Sequence, residues 1–150
     1  MKETRSVTYV LLLFSVILGF WGCQGAGKDG IKVQGTTQWT DSGIDVKKGQ
    51  IIRVLARGDV HVNKKIRSGP NGLGDVTLKP ITKLVLRGYN VTSEARHGAL
   101  IGKIGKKGTP FLVGEKGEIK AQVPGSLFLG VNDRDVKNNS GHYVAKVSIR

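Results

Sequence analysis

Apolar residues recur with a period of two along most of this chain from Ile31 onward. Such alternation places successive side chains on opposite faces of a β-strand, whereas a helix would need a period of 3.6. Turn-forming residues, including many of the 22 glycines, separate these runs at intervals of about 8 to 12 residues. The pattern predicts an all-β domain, either a two-sheet sandwich or a small barrel. The most strand-like runs are residues 51–56, 83–86, 119–123 and 143–149.

The first 22 residues have the composition of an export signal. Lys2 and Arg5 make the beginning positive, and residues 7–21 are almost entirely apolar or small. A helix of that length rises about 22 Å, less than the roughly 30 Å hydrocarbon core of a bilayer. We therefore expect residues 1–22 to direct export and not to span a membrane permanently.

Cys23, the single cysteine of the chain, directly follows this segment. It cannot form an internal disulfide, but it stands where a bacterial lipoprotein signal places the residue that is acylated. Two acyl chains would hold the protein durably, since each buried CH₂ contributes about 0.8 kcal/mol. The alternatives are cleavage near Gly25, which gives a secreted form, and retention of the segment as an uncleaved anchor.

Residues 23–30 are polar and rich in glycine, which predicts a flexible tether. The remaining residues, 31–150, make one domain of ordinary size that can bury a core without disulfides. Gln24 after the cysteine is compatible with sorting to the outer membrane. We expect a lipoprotein of the bacterial cell envelope, on the outer membrane or the surface.

Basic residues outnumber acidic residues about two to one. The chain carries 24 Lys and Arg against 11 Asp and Glu, and loss of residues 1–22 removes Lys2, Arg5 and Glu3, leaving 22 against 10 and a net charge of +12. This charge attracts anionic polymers and lipids. Nucleic acid is not expected as a partner, because the basic residues are not interleaved with the aromatic side chains on which single strands stack. A solvated basic surface is the alternative.

A polar segment, residues 132–141, separates two strand-like runs near the end of the chain. Its sequence, Asn-Asp-Arg-Asp-Val-Lys-Asn-Asn-Ser-Gly, places two Asp and three Asn within eight residues. Ca²⁺ takes six to eight oxygen ligands from carboxylates, amides, main-chain carbonyls and water. The same residue types favour tight turns, so composition leaves a calcium site and a simple turn both open.

No catalytic arrangement is recognisable in the sequence. A glycosidase needs two carboxylates about 5 to 9.5 Å apart, and the closest acidic pair, Asp133 and Asp135, lies in the polar segment. The Gly-x-Ser-x-Gly motif of hydrolases does not occur. Three scattered histidines give no zinc-ligand pair, and an isolated one such as His61 or His97 is usually inert. We expect a binding protein and not an enzyme.

Several motifs follow one another in an order that resembles one known family. They are Gln38-Trp39-Thr40-Asp41-Ser42-Gly43-Ile44, Lys48-Gly49, Ala56-Arg57-Gly58, Gly69-Pro70-Asn71-Gly72, Gly98-Ala99-Leu100-Ile101-Gly102-Lys103-Ile104-Gly105, Leu127-Phe128-Leu129-Gly130-Val131-Asn132-Asp133 and Asn138-Asn139-Ser140-Gly141. In this succession the chain is similar to the galactophilic bacterial lectins of the PA-I type. The resemblance implies a jelly-roll β-sandwich of two antiparallel sheets that binds one Ca²⁺, with sugar hydroxyls completing the metal's coordination.

The resemblance also implies a set of calcium ligands. Asp133, Asn138 and Asn139 match the positions whose side chains hold the ion, while Asp135 and Val62 match positions that contribute main-chain carbonyls. The family's sugar-contacting residues have no recognisable counterparts in residues 73–97, so the sugar is left open. Arg134 and Lys137 lie within the same segment, and each would weaken the site if its charge approached the ion.

Together these observations predict an exported, lipid-anchored, lectin-like domain that uses calcium and recognises a glycan or polysaccharide. The first alternative is a basic envelope lipoprotein that has the sandwich but no metal or sugar, and binds anionic polymers or a protein partner. The second is a structural envelope domain without any small ligand.

Overall fold

The computed structural model describes residues 27–74 and 79–150. The predicted signal segment and Cys23 lie outside the described residues. Within them the elements are, in chain order, β1 (Gly27–Gln34), β2 (Thr40–Val46), β3 (Ile51–Val62), β4 (Ile66–Ser68), α1 (Pro80–Gly88), β5 (Leu100–Ile104), β6 (Phe111–Leu112), β7 (Lys116–Lys120), β8 (Gly125–Val131), a 3₁₀ helix (Val136–Asn138) and β9 (Ser140–Ile149).

The strands form two antiparallel sheets. The first has the order β1-β9-β3-β4, and β7 also pairs with β3; the second has the order β2-β8-β5-β6. Strand β3 can hold three partners because it is 12 residues long. It pairs with β9 along one edge, from Ile52 opposite Ile149 to His61 opposite Ser140, and with β7 and then β4 along the other. The predicted all-β sandwich is confirmed.

The core lies between the two sheets and follows directly from the alternation. In β9 the buried residues are Tyr143, Ala145, Val147 and Ile149, with exposed or half-buried residues between them. β3 alternates in the same way. Burying a Val, Leu or Ile side chain contributes about 1.5 to 3 kcal/mol, so this apolar layer drives formation of the sandwich. Among the described residues, the main core cluster runs from Ile31 to Ile149, and a fragment of residues 24–150 contains all of it.

Tyr143 places a polar group inside this core. Its side chain is fully buried, and its hydroxyl oxygen lies 2.7 Å from the Gly98 carbonyl oxygen, 2.8 Å from that of Gly69 and 3.1 Å from that of Ser68. Burial raises the pKa of Tyr143, so the hydroxyl keeps its one proton and can donate it to the nearest of these carbonyls, that of Gly98. The residue thereby joins the segment after β4 to the segment before β5.

The prediction of a strand at residues 83–86 is wrong, because these residues lie in α1. Leu84, Val85 and Leu86 are consecutive apolar residues, and so short a run has no clear period. Helical signals lie around it: Pro80 occupies the first turn, and Ile81, Leu84 and Val85 recur at helical spacing. All three of those side chains are exposed.

Two element boundaries also differ from expectation. β1 begins at Gly27, within the segment predicted to be a tether, and pairs there with Ser148 of β9. β7 spans Lys116–Lys120, whereas the sequence pattern predicts a strand at residues 119–123. No helix in the described part of the chain is long and apolar enough to cross a membrane.

Replacing Tyr143 with Phe should lower the free energy of unfolding by about 1 to 3 kcal/mol, because it leaves the buried Gly98 carbonyl oxygen without this donor while it keeps the ring. Urea titration at neutral pH measures this. Tyr89→Phe is the matched control, because Tyr89 is exposed and should change stability by less than about 0.5 kcal/mol. Equal stabilities of the two variants would contradict the role of the hydroxyl.

Candidate functional site

The polar segment after β8 lies at one end of the sandwich, against residues 89–98 and the turn between β3 and β4. Asn132 attaches it to residues 91–96. The Asn132 side chain is fully buried, and its Oδ1 accepts hydrogen bonds from the backbone N–H groups of Val91 and Thr92, both at 2.9 Å. Its Nδ2 lies 2.8 Å from the carbonyl oxygen of Ala95 and 3.1 Å from those of Thr92 and Arg96. One amide side chain thus fixes the loop beside Asp133.

Asp133 and His97 form a buried pair next to this amide. Their side chains are only 4% and 6% exposed, and His97 Nε2 lies 3.8 Å from Asp133 Oδ2. Asp133 Oδ1 accepts a hydrogen bond from the backbone N–H of Asp135 at 2.9 Å. A carboxylate is rarely buried to this extent unless a cation or several donors stabilise its charge.

The protonation of His97 follows from its other neighbour. Asn90 donates from Nδ2 to the Ala95 carbonyl, so Asn90 Oδ1 is the acceptor that faces His97 Nδ1 at 2.9 Å. His97 Nδ1 therefore carries the proton, and in the neutral ring Nε2 presents a lone pair towards Asp133. Burial lowers the pKa of His97 below its ordinary value of 6.5, and the negative charge of Asp133 offsets this only in part.

The remaining polar side chains of the segment form a connected cluster. Asn138 Nδ2 donates to Asp135 Oδ2 at 2.6 Å. The Oδ1 atoms of Asn138 and Asn139 both approach the backbone N–H of Asn63, at 3.1 and 3.3 Å. Asn139 is buried, and its Nδ2 donates to the Gly35 carbonyl. Two amide oxygens thus converge on one electropositive hydrogen atom.

The carbonyl of Val62 points away from these amide oxygens. The peptide between Val62 and Asn63 is trans, so its C=O and N–H point in opposite directions, and the N–H faces Asn138 and Asn139. The Val62 carbonyl accepts from the backbone N–H of Lys65 at 3.4 Å instead. Asn63 and Lys64 hold this turn with φ angles of 52° and 59°. The Asp135 carbonyl likewise accepts a 3₁₀ hydrogen bond, from the backbone N–H of Asn138.

The donor set of this cluster fits a hard cation. Asp133 and Asp135 supply carboxylates, and Asn138 and Asn139 supply amide oxygens that converge on one backbone N–H donor; carboxylate and amide oxygens are the ligand chemistry of Ca²⁺. Among the described residues, no group of three or more Asp, Glu, His and Cys side chains could hold a metal. An ion here would therefore depend on the two asparagines as much as on the two carboxylates.

Arg134 and Lys137, which could oppose a cation, are both exposed, so solvent screens their charges. His61 lies on the outer face of the first sheet and not in the cluster. Sequence reasoning set His97 aside and assigned no role to Asn90. No local signal identifies them, because His97 meets its partners only after the chain has folded back on itself.

Comparison with solved structures finds the N-terminal domain of EclA, a PllA-like lectin, with a TM-score of 0.61 and 21% sequence identity. The match covers 83% of this chain and 98% of that domain. The chain therefore shares the fold of that lectin domain, and at this identity the similarity establishes fold alone. No protein-family model matches the sequence, and no curated protein is significantly similar to it.

His97 should make the domain less stable in mild acid. Its pKa is lower in the folded chain than in the unfolded chain, so the unfolded chain binds the proton first. The free energy of unfolding should therefore fall as pH decreases below 6.5, a loss that is absent at neutral pH. Urea midpoints between about pH 7.5 and about pH 5.5 measure this dependence.

His97→Gln should flatten that pH dependence, since it removes the titrating group. His142→Gln is the control, because His142 lies half-buried on the outer face of the first sheet, away from Asp133. A pH dependence that His97→Gln leaves unchanged would exclude His97 as its source.

Proposed function

We propose that this domain is a calcium-dependent carbohydrate-binding domain. Its fold, shared with a PllA-like lectin domain, supports carbohydrate binding as the general function. The observation that carries the calcium proposal is the convergence of Asn138 Oδ1 and Asn139 Oδ1 on one N–H group, beside two carboxylates. The proposed role is binding and not catalysis.

In this proposal Asp133, Asp135, Asn138 and Asn139 hold the ion, and Ca²⁺ supplies open coordination positions that vicinal sugar hydroxyls can occupy. The buried carboxylate of Asp133 supplies negative charge where little water can screen it. Asn132 keeps the segment rigid, so that its oxygens are positioned before binding. The Val62 carbonyl would bind the ion only if the peptide plane between Val62 and Asn63 flipped.

We propose further that the protein is exported and anchored in the bacterial cell envelope through acylated Cys23. The support is the order of sequence features, namely a positive start, an apolar segment and a lone cysteine at its end. β1 begins four residues after that cysteine, so an anchored domain would sit close to its membrane.

Calcium should raise the thermal stability of the 24–150 fragment. A ligand at a hundredfold excess over its Kd stabilises the folded state by about 2.7 kcal/mol, which gives a clear increase in Tm. Asp133→Asn keeps the shape and an acceptor oxygen but removes the charge, and should abolish most of the increase. Differential scanning calorimetry with calcium, and with excess chelator, measures it.

Asp41→Asn is the matched control for that experiment, because Asp41 is an exposed carboxylate on β2 and should leave the calcium response intact. The backbone amide of Asn63 provides a second readout. Its two acceptors would become metal ligands, so its NMR signal should move on calcium addition. If millimolar calcium neither raises the Tm of the wild-type domain nor moves the Asn63 amide signal, the proposed calcium site is refuted.

Glycan binding should depend on calcium and tolerate salt. The fragment, applied to a printed glycan array, should lose its bound glycans when EDTA is added, while a moderate increase in salt should have little effect. Binding that ignores EDTA and weakens steeply with salt would instead identify an anionic-polymer binder, because displacement of counterions governs such binding.

A further inference from the structure

On the outer face of the first sheet, Lys and Arg outnumber Asp and Glu by about two to one. The same alternation that buries one side of β3 and β9 turns the other side to solvent, together with the outward residues of β1, β4 and β7. We call this surface the basic face. Its Lys and Arg residues are Lys32, Arg53, Arg57, Arg67, Lys116, Lys120 and Lys146, and its carboxylates are Asp29, Asp59 and Glu118.

Each carboxylate of the basic face is already paired. Glu118 lies 2.6 Å from Arg53, Asp59 lies 2.6 Å from Arg67, and Asp29 lies 3.0 Å from Lys146. The other four cations, Lys32, Arg57, Lys116 and Lys120, make no ion pair with any residue in the described ranges. The face therefore keeps an excess of positive charge for an external anion.

Apolar side chains lie between these cations. Leu55 is flanked across the sheet by Lys116 of β7 and Lys146 of β9. Two residues further along β9, Val144 is flanked in the same way by Arg57 of β3 and Lys32 of β1. Leu55 is 55% exposed and lies between two shallow cavities of about 360 and 290 Å³.

Exposed cations with an exposed apolar side chain between them fit a lipid surface better than a soluble polyanion. Anionic headgroups attract Lys and Arg, by about 1 kcal/mol for each residue near the surface, and apolar side chains gain by entering the boundary between headgroups and acyl chains. A sulfated or phosphorylated polymer would use the charges but would leave Leu55 in water. An exposed leucine in the middle of a basic surface thus favours the lipid.

The start of the described chain lies at the same face. Gly27 pairs with Ser148, which pairs with Arg53, so Gly27 is two strand spacings, or about 10 Å, from Arg53. Cys23 precedes Gly27 by four residues, a reach of at most about 14 Å. An anchor at that cysteine would hold the basic face next to a bilayer.

We propose that the basic face docks on an anionic lipid membrane, with Lys32, Arg57 and Lys116 contacting headgroups and Leu55 entering the interface. Charge and apolar exposure carry this proposal whether or not Cys23 is acylated. The tether would only raise the local concentration of lipid.

The test uses flotation of the unacylated 24–150 fragment with lipid vesicles in the presence of EDTA, so that the proposed calcium site takes no part. The fragment should bind vesicles of mixed phosphatidylcholine and phosphatidylglycerol, and bind pure phosphatidylcholine much more weakly. The triple variant Lys32→Gln, Arg57→Gln, Lys116→Gln should bind the mixed vesicles on the order of 100-fold more weakly, at roughly fivefold for each cation.

The matched control is Lys47→Gln, Lys48→Gln, Lys107→Gln, which removes the same charge from exposed turn positions outside the basic face. It should retain most of the binding. Equal losses in the two triple variants, or no binding of mixed vesicles by the wild-type fragment, would overturn the proposal. All six positions are exposed, and circular dichroism verifies that each variant is folded.

Leu55→Thr separates a membrane from a soluble polyanion, because threonine keeps the strand preference and loses most of the apolar surface. It should weaken vesicle binding about threefold to tenfold, and leave binding to dextran sulfate unchanged. If vesicle binding is unaffected by Leu55→Thr, the face recognises anionic charge alone and the lipid assignment is wrong.

Discussion

The pairing of β3 with β9 determines both surfaces to which we assign a role. The register runs without interruption from Ile52 opposite Ile149 to His61 opposite Ser140. At one end it brings the turn after β3 against Asn138 and Asn139, and at the other it leaves Arg53 opposite Ser148, the partner of Gly27. A shift of this register by one residue would move the side chains of Leu55 and its neighbouring arginines into the core. The cost of burying those charges, together with the loss of the valines now in the core, fixes the register.

The sequence predicts the strands well where one face is buried and the other is exposed to solvent. Residues 143–149 alternate from Ala145 onward, and residues 51–56 combine β-branched side chains with Arg53 at an outward position; both runs lie in the strands of the central pair. Residues 83–86 lack that alternation, and their helix shows only in residues further away, such as Pro80. The local pattern therefore predicts an element more reliably when its two faces differ clearly in polarity.

The candidate site could be predicted only in part, because its geometry is non-local. The composition of residues 132–141 suggests oxygen ligands, and the structure places Asp133, Asp135, Asn138 and Asn139 in one cluster. The burial of His97 depends on Asn90 and Asp133, which contact it only in the folded chain. The direction of the Val62 carbonyl depends on the rotation of one peptide plane, and side-chain identity does not specify that rotation.

The two surfaces differ in how their charges act. Asp133 is nearly inaccessible to solvent, so its interactions are short-ranged and weakly screened, whereas the exposed charges of the basic face are screened over about 8 to 10 Å in physiological salt. Arg67 of the basic face adjoins the turn that carries Asn63, but Arg57, which we propose contacts lipid, precedes Asn63 by six residues, or about 20 Å of strand. The ten residues of β9 span roughly 30 Å between the cluster at its start and the neighbourhood of Gly27 at its end. The cluster lies at the end of the sandwich and most of the basic face on its side, so the proposed docking on a membrane and the proposed binding of calcium use different parts of the domain.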